Sequence, residues 1–184
     1  MSNSTTTKQS APASTPGAGQ RTSLWAGSSP PAPNAKGLIL GTLITVVSLL
    51  ILVALGQATG KLLMIAPLAA TAMIICASPG LPPAQPRGVL LGQLGSAIVG
   101  FVGAGLFGHS LWVAAVAAGV SVGVMGLLRA IHAPAAATAA LVVVQHPAEG
   151  KFLALLAIGS VLLILVGLIA SRIGAIGKYP TYWW

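Results

Sequence analysis

The side chains able to hold a ligand gather around two prolines, Pro67 and Pro134. Each proline lies at the head of a short apolar segment of the same pattern. Ala66-Pro67-Leu68-Ala69-Ala70-Thr71-Ala72 and Ala133-Pro134-Ala135-Ala136-Ala137-Thr138-Ala139 are identical at six of seven positions. Proline lacks an N–H and fits the first turn of a helix, so both segments predict helix starts. Free N–H groups and the positive end of the helix dipole attract anions at such a start. Ala69, Ala70, Ala136 and Ala137 are small enough to let a ligand approach the backbone, and Thr71 and Thr138 set a hydroxyl one turn in. His132 precedes the second start; a neutral imidazole can bond an anion or carry a proton near neutral pH. Arg129 stands just before it, and Arg87 follows the first segment in Gln85-Pro86-Arg87. Each arginine is either an anion-attracting charge or a headgroup anchor. The plainer alternative is a pair of proline-kinked helices whose alanines permit tight packing.

Other polar positions are few. Gln93 sits in an apolar stretch, and a hydrogen bond to another helix answers its need for a partner better than substrate contact. Cys76, within Met73-Ile74-Ile75-Cys76-Ala77, is expected to be a small core residue. Glu149 is the only carboxylate, which excludes paired-acid chemistry and acidic metal cages. The three histidines show no i, i+4 metal spacing, and no nucleophile–base pair is evident. Neither an enzyme nor a cofactor is therefore expected.

The elements that must position these residues are membrane helices. Hydrophobic residues make up 55% of the chain and charged residues 5%, against roughly 25% charged in ordinary soluble domains. The net charge of +8 comes from single, scattered basic residues, unlike a nucleic-acid-binding patch. They punctuate apolar runs, as loop charges do in membrane proteins. Six segments result: Gly37–Thr59, Leu62–Ser78, Gly88–Phe107, Leu111–Leu128, Ala133–Gln145 and Lys151–Ile173. Residues 1–36, rich in Ser, Thr, Pro and Ala, predict a disordered arm. Residues 174–184 end in Tyr-Trp-Trp beside Lys178 and predict an interfacial anchor.

The proline segments also report a duplication. Pro67 to Pro134 is an offset of 67 residues, and the same offset pairs Gly56 with Gly123, Gly92 with Gly159 and Gly100 with Gly167. The first repeat covers about 37–107 and the second about 108–173. With three crossings per half, an odd number, the second half must be inverted, which places the site between halves near the midplane. With the N-terminus inside, six crossings put Lys8, Arg21, Lys36, Arg87, Arg129, Arg172 and Lys178 on the inner side. Only Lys61 and Lys151 fall outside, as the positive-inside rule requires. The expectation is an all-α membrane protein with two short Pro-started helices near the midplane, in a bacterial inner membrane with both termini cytoplasmic. Gly88-x-x-x-Gly92 and Gly119-x-x-x-Gly123 offer faces for close helix contact, within one chain or in a homo-oligomer.

Pro83-Ala84-Gln85-Pro86-Arg87, Gly92, Arg129-x-x-His132-Ala133-Pro134-Ala135-x-Ala137-Thr138 and the closing Tyr-Pro-x-Tyr-Trp together resemble the HPP family of small integral membrane proteins, over about residues 60–184. That family is named for a His-Pro-Pro motif, and its plastid and cyanobacterial members are associated with nitrite transport. The resemblance implies a transporter or channel for a small monovalent inorganic anion, with nitrite first. The motif reads His132-Ala133-Pro134 here, Ala136 replaces a glycine, and Gln93 replaces a histidine. These departures put the substrate in question rather than the fold. The alternative function is a non-transporting membrane scaffold.

Overall fold

A computed structural model describes residues 34–60 and 65–184. The expected arm, up to residue 33, and the loop charges Lys8, Arg21 and Lys61 lie outside the described residues. Six α-helices occur among the described residues: α1 (Ala35–Thr59), α2 (Ala66–Ala77), α3 (Pro86–Phe107), α4 (Leu111–Leu127), α5 (Ala133–Gln145) and α6 (Glu149–Arg172). A 3-10 turn, Pro82–Ala84, precedes α3, and no strand occurs among the described residues. α1, α3 and α6 are long and apolar enough to cross a membrane; α2, α4 and α5 are shorter apolar helices.

Local chemistry sets these boundaries. The Asn34 side chain accepts from the Gly37 N–H to cap α1, and Gly60, at φ 62°, closes it. Ser110 caps α4. α2, α3 and α5 have no side-chain cap and instead carry proline in the first two positions, where its missing N–H costs no helical bond. Arg87, expected just before the third segment, lies inside the first turn of α3 because Pro86 starts that helix earlier.

Polarity is turned inside out relative to a soluble protein. Thr71, Gln85, Gln93, Ser96, His132, Thr138 and Ser160 have no exposed surface, while Leu43, Leu106, Val116 and Ile169 are more than half exposed. Buried polar groups must then satisfy one another, because hydrocarbon offers no hydrogen bonds. The core links Leu52, Leu68, Ile75, Val89, Val142, Leu156 and Leu163 across five helices.

Contacts between helix ends give the directions. Cys76, near the end of α2, approaches Gly41 near the start of α1, and Pro79 approaches Gly177 beyond α6. Arg87, at the start of α3, donates from Nη2 to the Leu128 carbonyl at the end of α4 (2.9 Å). His132, before α5, meets the Pro83 carbonyl in the α2–α3 linker. At the opposite end, His109 in the α3–α4 connection packs its ring on His146 beyond α5 (3.3 Å between centroids). The six helices therefore alternate in direction, and α2 runs opposite to α5.

The packed helix pairs are α1–α2 and α4–α5, α2–α6 and α3–α5, α1–α6 and α3–α4, together with α3–α6 and α2–α5. Glycines let two of these crossings close. A Cβ at Gly100 on α3 would lie 2.6 Å from the Ala139 carbonyl and 2.9 Å from the Val142 Cβ on α5. A Cβ at Gly167 on α6 would collide with Ile75 on α2 and sit 2.9 Å from the Tyr179 ring. Gly88 and Gly92 are likewise used within the chain, against the Pro82 carbonyl and His132. Gly119 and Gly123 have nothing within 4 Å.

The C-terminal segment is more than an anchor. It folds back under the bundle: Tyr179 is buried in the core, and the Thr181 N–H donates to Gln85 Oε1 (2.8 Å). Trp184 lies beneath the Arg87 guanidinium, 5.7 Å from ring centroid to Cζ. Trp183 and Trp184 remain at least half exposed, which suits headgroup depth.

Candidate functional site

The two proline-started helices bring their first turns together. Thr71, one turn into α2, lies 2.8 Å from Nε2 of His132, the residue that precedes α5. Gln93 of α3 fills the space between the starts. Its Nε2 donates to Thr71 Oγ1 (3.0 Å), and Thr138 Oγ1, one turn into α5, donates to its Oε1. Side by side, not tip to tip, the two first turns share one amide. All four side chains are fully buried.

Donor and acceptor arithmetic orders this cluster. The Pro83 carbonyl can only accept, so His132 Nδ1 donates to it (2.7 Å). Thr71 Oγ1 also lies 2.8 Å from the Pro67 carbonyl. Its single proton therefore has two alternative acceptors, Pro67 O and His132 Nε2. With neutral His132 the hydroxyl turns to Nε2, and every bond from Thr138 through Gln93, Thr71 and His132 to Pro83 runs one way. With a charged imidazolium, Nε2–H donates to Thr71, whose proton goes to Pro67. Both states are satisfied without moving a heavy atom. Chains of this kind polarise each other and lose heavily when one link is removed.

The depth of the cluster can be measured along α3. His132 lies level with Gly92, six residues along α3 from Pro86, or about 9 Å at 1.5 Å per residue. On a core about 30 Å thick that is about 6 Å short of the middle, on the side carrying Arg87 and Arg129. The start of α5 is tied to the α2–α3 linker through Pro83.

The other candidate residues are distributed as follows. Pro67 and Pro134 are buried; Ala69, Ala70 and Ala136 are half-buried; Ala137 is exposed. The Leu68 and Ala69 N–H groups bond the Ile65 carbonyl, and the Ala135 N–H bonds the His132 carbonyl. Each start therefore keeps fewer free donors than its sequence implies. Arg87 is bound to Leu128 and Trp184, away from the cluster. Arg129 is exposed, in the left-handed region at φ 51°; no hydrogen bond joins its side chain to the cluster among the described residues.

Gln93 bonds across helices, as its place in an apolar segment requires. The Pro83 carbonyl and the linker residue Gln85 fall in a motif quoted for the family resemblance, but their bonding roles were not legible there. The Gln85 Nε2 donates to the Pro79 and Leu81 carbonyls (2.8 and 3.0 Å), while its Oε1 receives the C-terminal segment. No group of three metal-ligating side chains exists among the described residues.

The family model for the HPP transmembrane region matches residues 30–180. The chain belongs to the HPP transmembrane family. Two transmembrane proteins of Dictyostelium discoideum are each 32% identical to it over 124 residues. That stretch covers 63% of this chain but only 40% and 44% of the relatives, so the chain spans less than half of each. No solved structure matches it. The stretch that resembles the family's His-Pro-Pro motif, His132-Ala133-Pro134, lies at the junction where α5 meets α2.

Proposed function

We propose that this HPP protein conducts or transports a small monovalent inorganic anion, nitrite being the leading candidate, through the junction of α2 and α5. The observation that carries the reading is the convergence of two helix starts, two hydroxyls and an imidazole on one buried point, with no carboxylate near it. Hydroxyl and imidazole N–H donors together with helix N-termini suit an anion. The family's association with nitrite points the same way. Arg87 and Arg129, both at the nearer end, would raise the local anion concentration. Binding and release need no covalent step and no cofactor.

The architecture we infer is two inverted copies of a three-helix unit, with both termini on the cytoplasmic face of a bacterial inner membrane. Exchanging α1 with α4, α2 with α5 and α3 with α6 turns the set of packed helix pairs into itself. The glycine crossings follow the same rule. Gly100 against Val142 becomes Gly167 against Ile75 at the offset of 67, and both are tight contacts. Such halves can rock about their interface while the site stays fixed.

Uptake of nitrite, nitrate, formate or chloride into proteoliposomes of the purified full chain tests the function. Uptake above empty vesicles that collapses in His132→Ala and Ala136→Leu supports it. No flux of any of these anions, alongside co-purification of a stoichiometric partner, would favour a scaffold instead.

A further inference from the structure

The centre of the buried cluster is a group that has the outline of the proposed substrate. A carboxamide is planar, with one central atom between two polar ones, like nitrite or formate. The Gln93 oxygen occupies the place to which Thr138 donates, and its nitrogen turns the Thr71 proton away toward Pro67 or His132. Were the amide removed, both hydroxyls would be free to donate into the vacated space; the imidazole would join them when charged, because the neutral ring donates from Nδ1 to Pro83. An acceptor with two oxygens could then satisfy all three.

A second observation shows where the amide can go. Ser96 lies on α3 three residues beyond Gln93 and is fully buried, yet its hydroxyl has no hydrogen-bond partner. Residues three apart on a helix are neighbours. Buried polar groups without partners are uncommon and call for a reason. A glutamine head turning along its own helix would meet the Ser96 hydroxyl and satisfy it.

From these observations we infer that Gln93 is a tethered stand-in for the anion. Its amide closes the site at rest, and it swings to Ser96 when substrate binds to Thr71, Thr138 and His132. Gln93 is thus a gating residue whose head competes with substrate for the same donors. The inference rests on the anion-transport reading and names how that site opens.

The test is initial nitrite uptake into proteoliposomes of the full chain, with thermal stability in detergent measured in parallel. Gln93→Ala should take up nitrite several-fold faster than wild type, despite a lower Tm. Gln93→Glu supplies a permanent tethered carboxylate; it should keep a Tm near wild type and show no uptake above empty vesicles. Ser96→Ala should slow uptake several-fold while leaving the Tm unchanged, because its hydroxyl holds nothing at rest. A folded Gln93→Ala that is slower than an active wild type would overturn the gate and leave transport standing. If Gln93→Ala does not fold, wild-type uptake in Ser96→Ala would overturn it equally. An inactive wild type would remove both the gate and the transport reading.

Discussion

The two three-helix halves differ most where they are most alike. Each contains the Ala-Pro start and the threonine one turn in, yet the residue before the start is Ile65 in the first half and His132 in the second. The third helices carry Gln93 and, at the same offset, Ser160. His132 and Gln93 hold the cluster together, whereas Ile65 belongs to the apolar core and the Ser160 hydroxyl is buried without a partner. Backbone packing is shared between the halves, and polar chemistry is concentrated on one side of the repeat. In the proposed duplication the halves share the contacts that close the bundle and differ in their polar side chains.

The largest expected effect attacks what the halves share. Gly100→Ala and Gly167→Ala should each lower stability by about 2–3 kcal/mol, since overpacking a closed contact costs roughly this much. Thermal unfolding in detergent measures it. Gly119→Ala, in open space, should be neutral or stabilising by up to about 1 kcal/mol from helix propensity. Similar losses at positions 100 and 167 support equivalent crossings; a loss at only one breaks the equivalence.

Next comes the asymmetry itself. His132→Ile makes the second start resemble the first and strands the Pro83 carbonyl. It should cost about 1–3 kcal/mol for the unpaired buried group and reduce anion uptake at least tenfold. Uptake at the wild-type rate would show that the imidazole only fastens the linker.

The threonines give a smaller, graded contrast. Thr71→Val removes a hub with contacts to Pro67, His132 and Gln93 and should cost about 2 kcal/mol. Thr138→Val removes one bond to Gln93 and should cost about 1 kcal/mol, on the scale of single hydrogen bonds. The reverse order would mean that the chain of bonds is anchored at α5. The smallest effect belongs to Ser160→Ala, expected within about 0.5 kcal/mol of wild type because no bond is lost. A clear loss of stability there would reveal a polar partner in the second half after all.

Much of this fold was legible because apolar runs bounded by single charges and prolines leave little choice of helix ends. Ala133–Gln145 is the same in sequence and structure, and the other boundaries move by a few residues. Gln93 was legible as a cross-helix donor from its isolation among apolar neighbours. The partner of His132 was not, because a backbone carbonyl such as Pro83 O has no signature in side-chain types. Nor could the sequence reveal that the space between the two starts is filled by the protein's own amide. Buried Gln85 was hard to read, because its partners are the Pro79 and Leu81 carbonyls and a segment nearly a hundred residues away.

The central claim is that the halves are inverted copies whose short helices run in opposite directions. Leu81, after α2, and Ala148, after α5, are both exposed and are separated by the repeat offset of 67. In a Cys76→Ser background, Leu81→Cys and Ala148→Cys should react with a membrane-impermeant thiol reagent from opposite faces of oriented membranes. The cysteine at position 81 should label from the cytoplasmic side. Labelling of both from the same face would contradict the inverted arrangement.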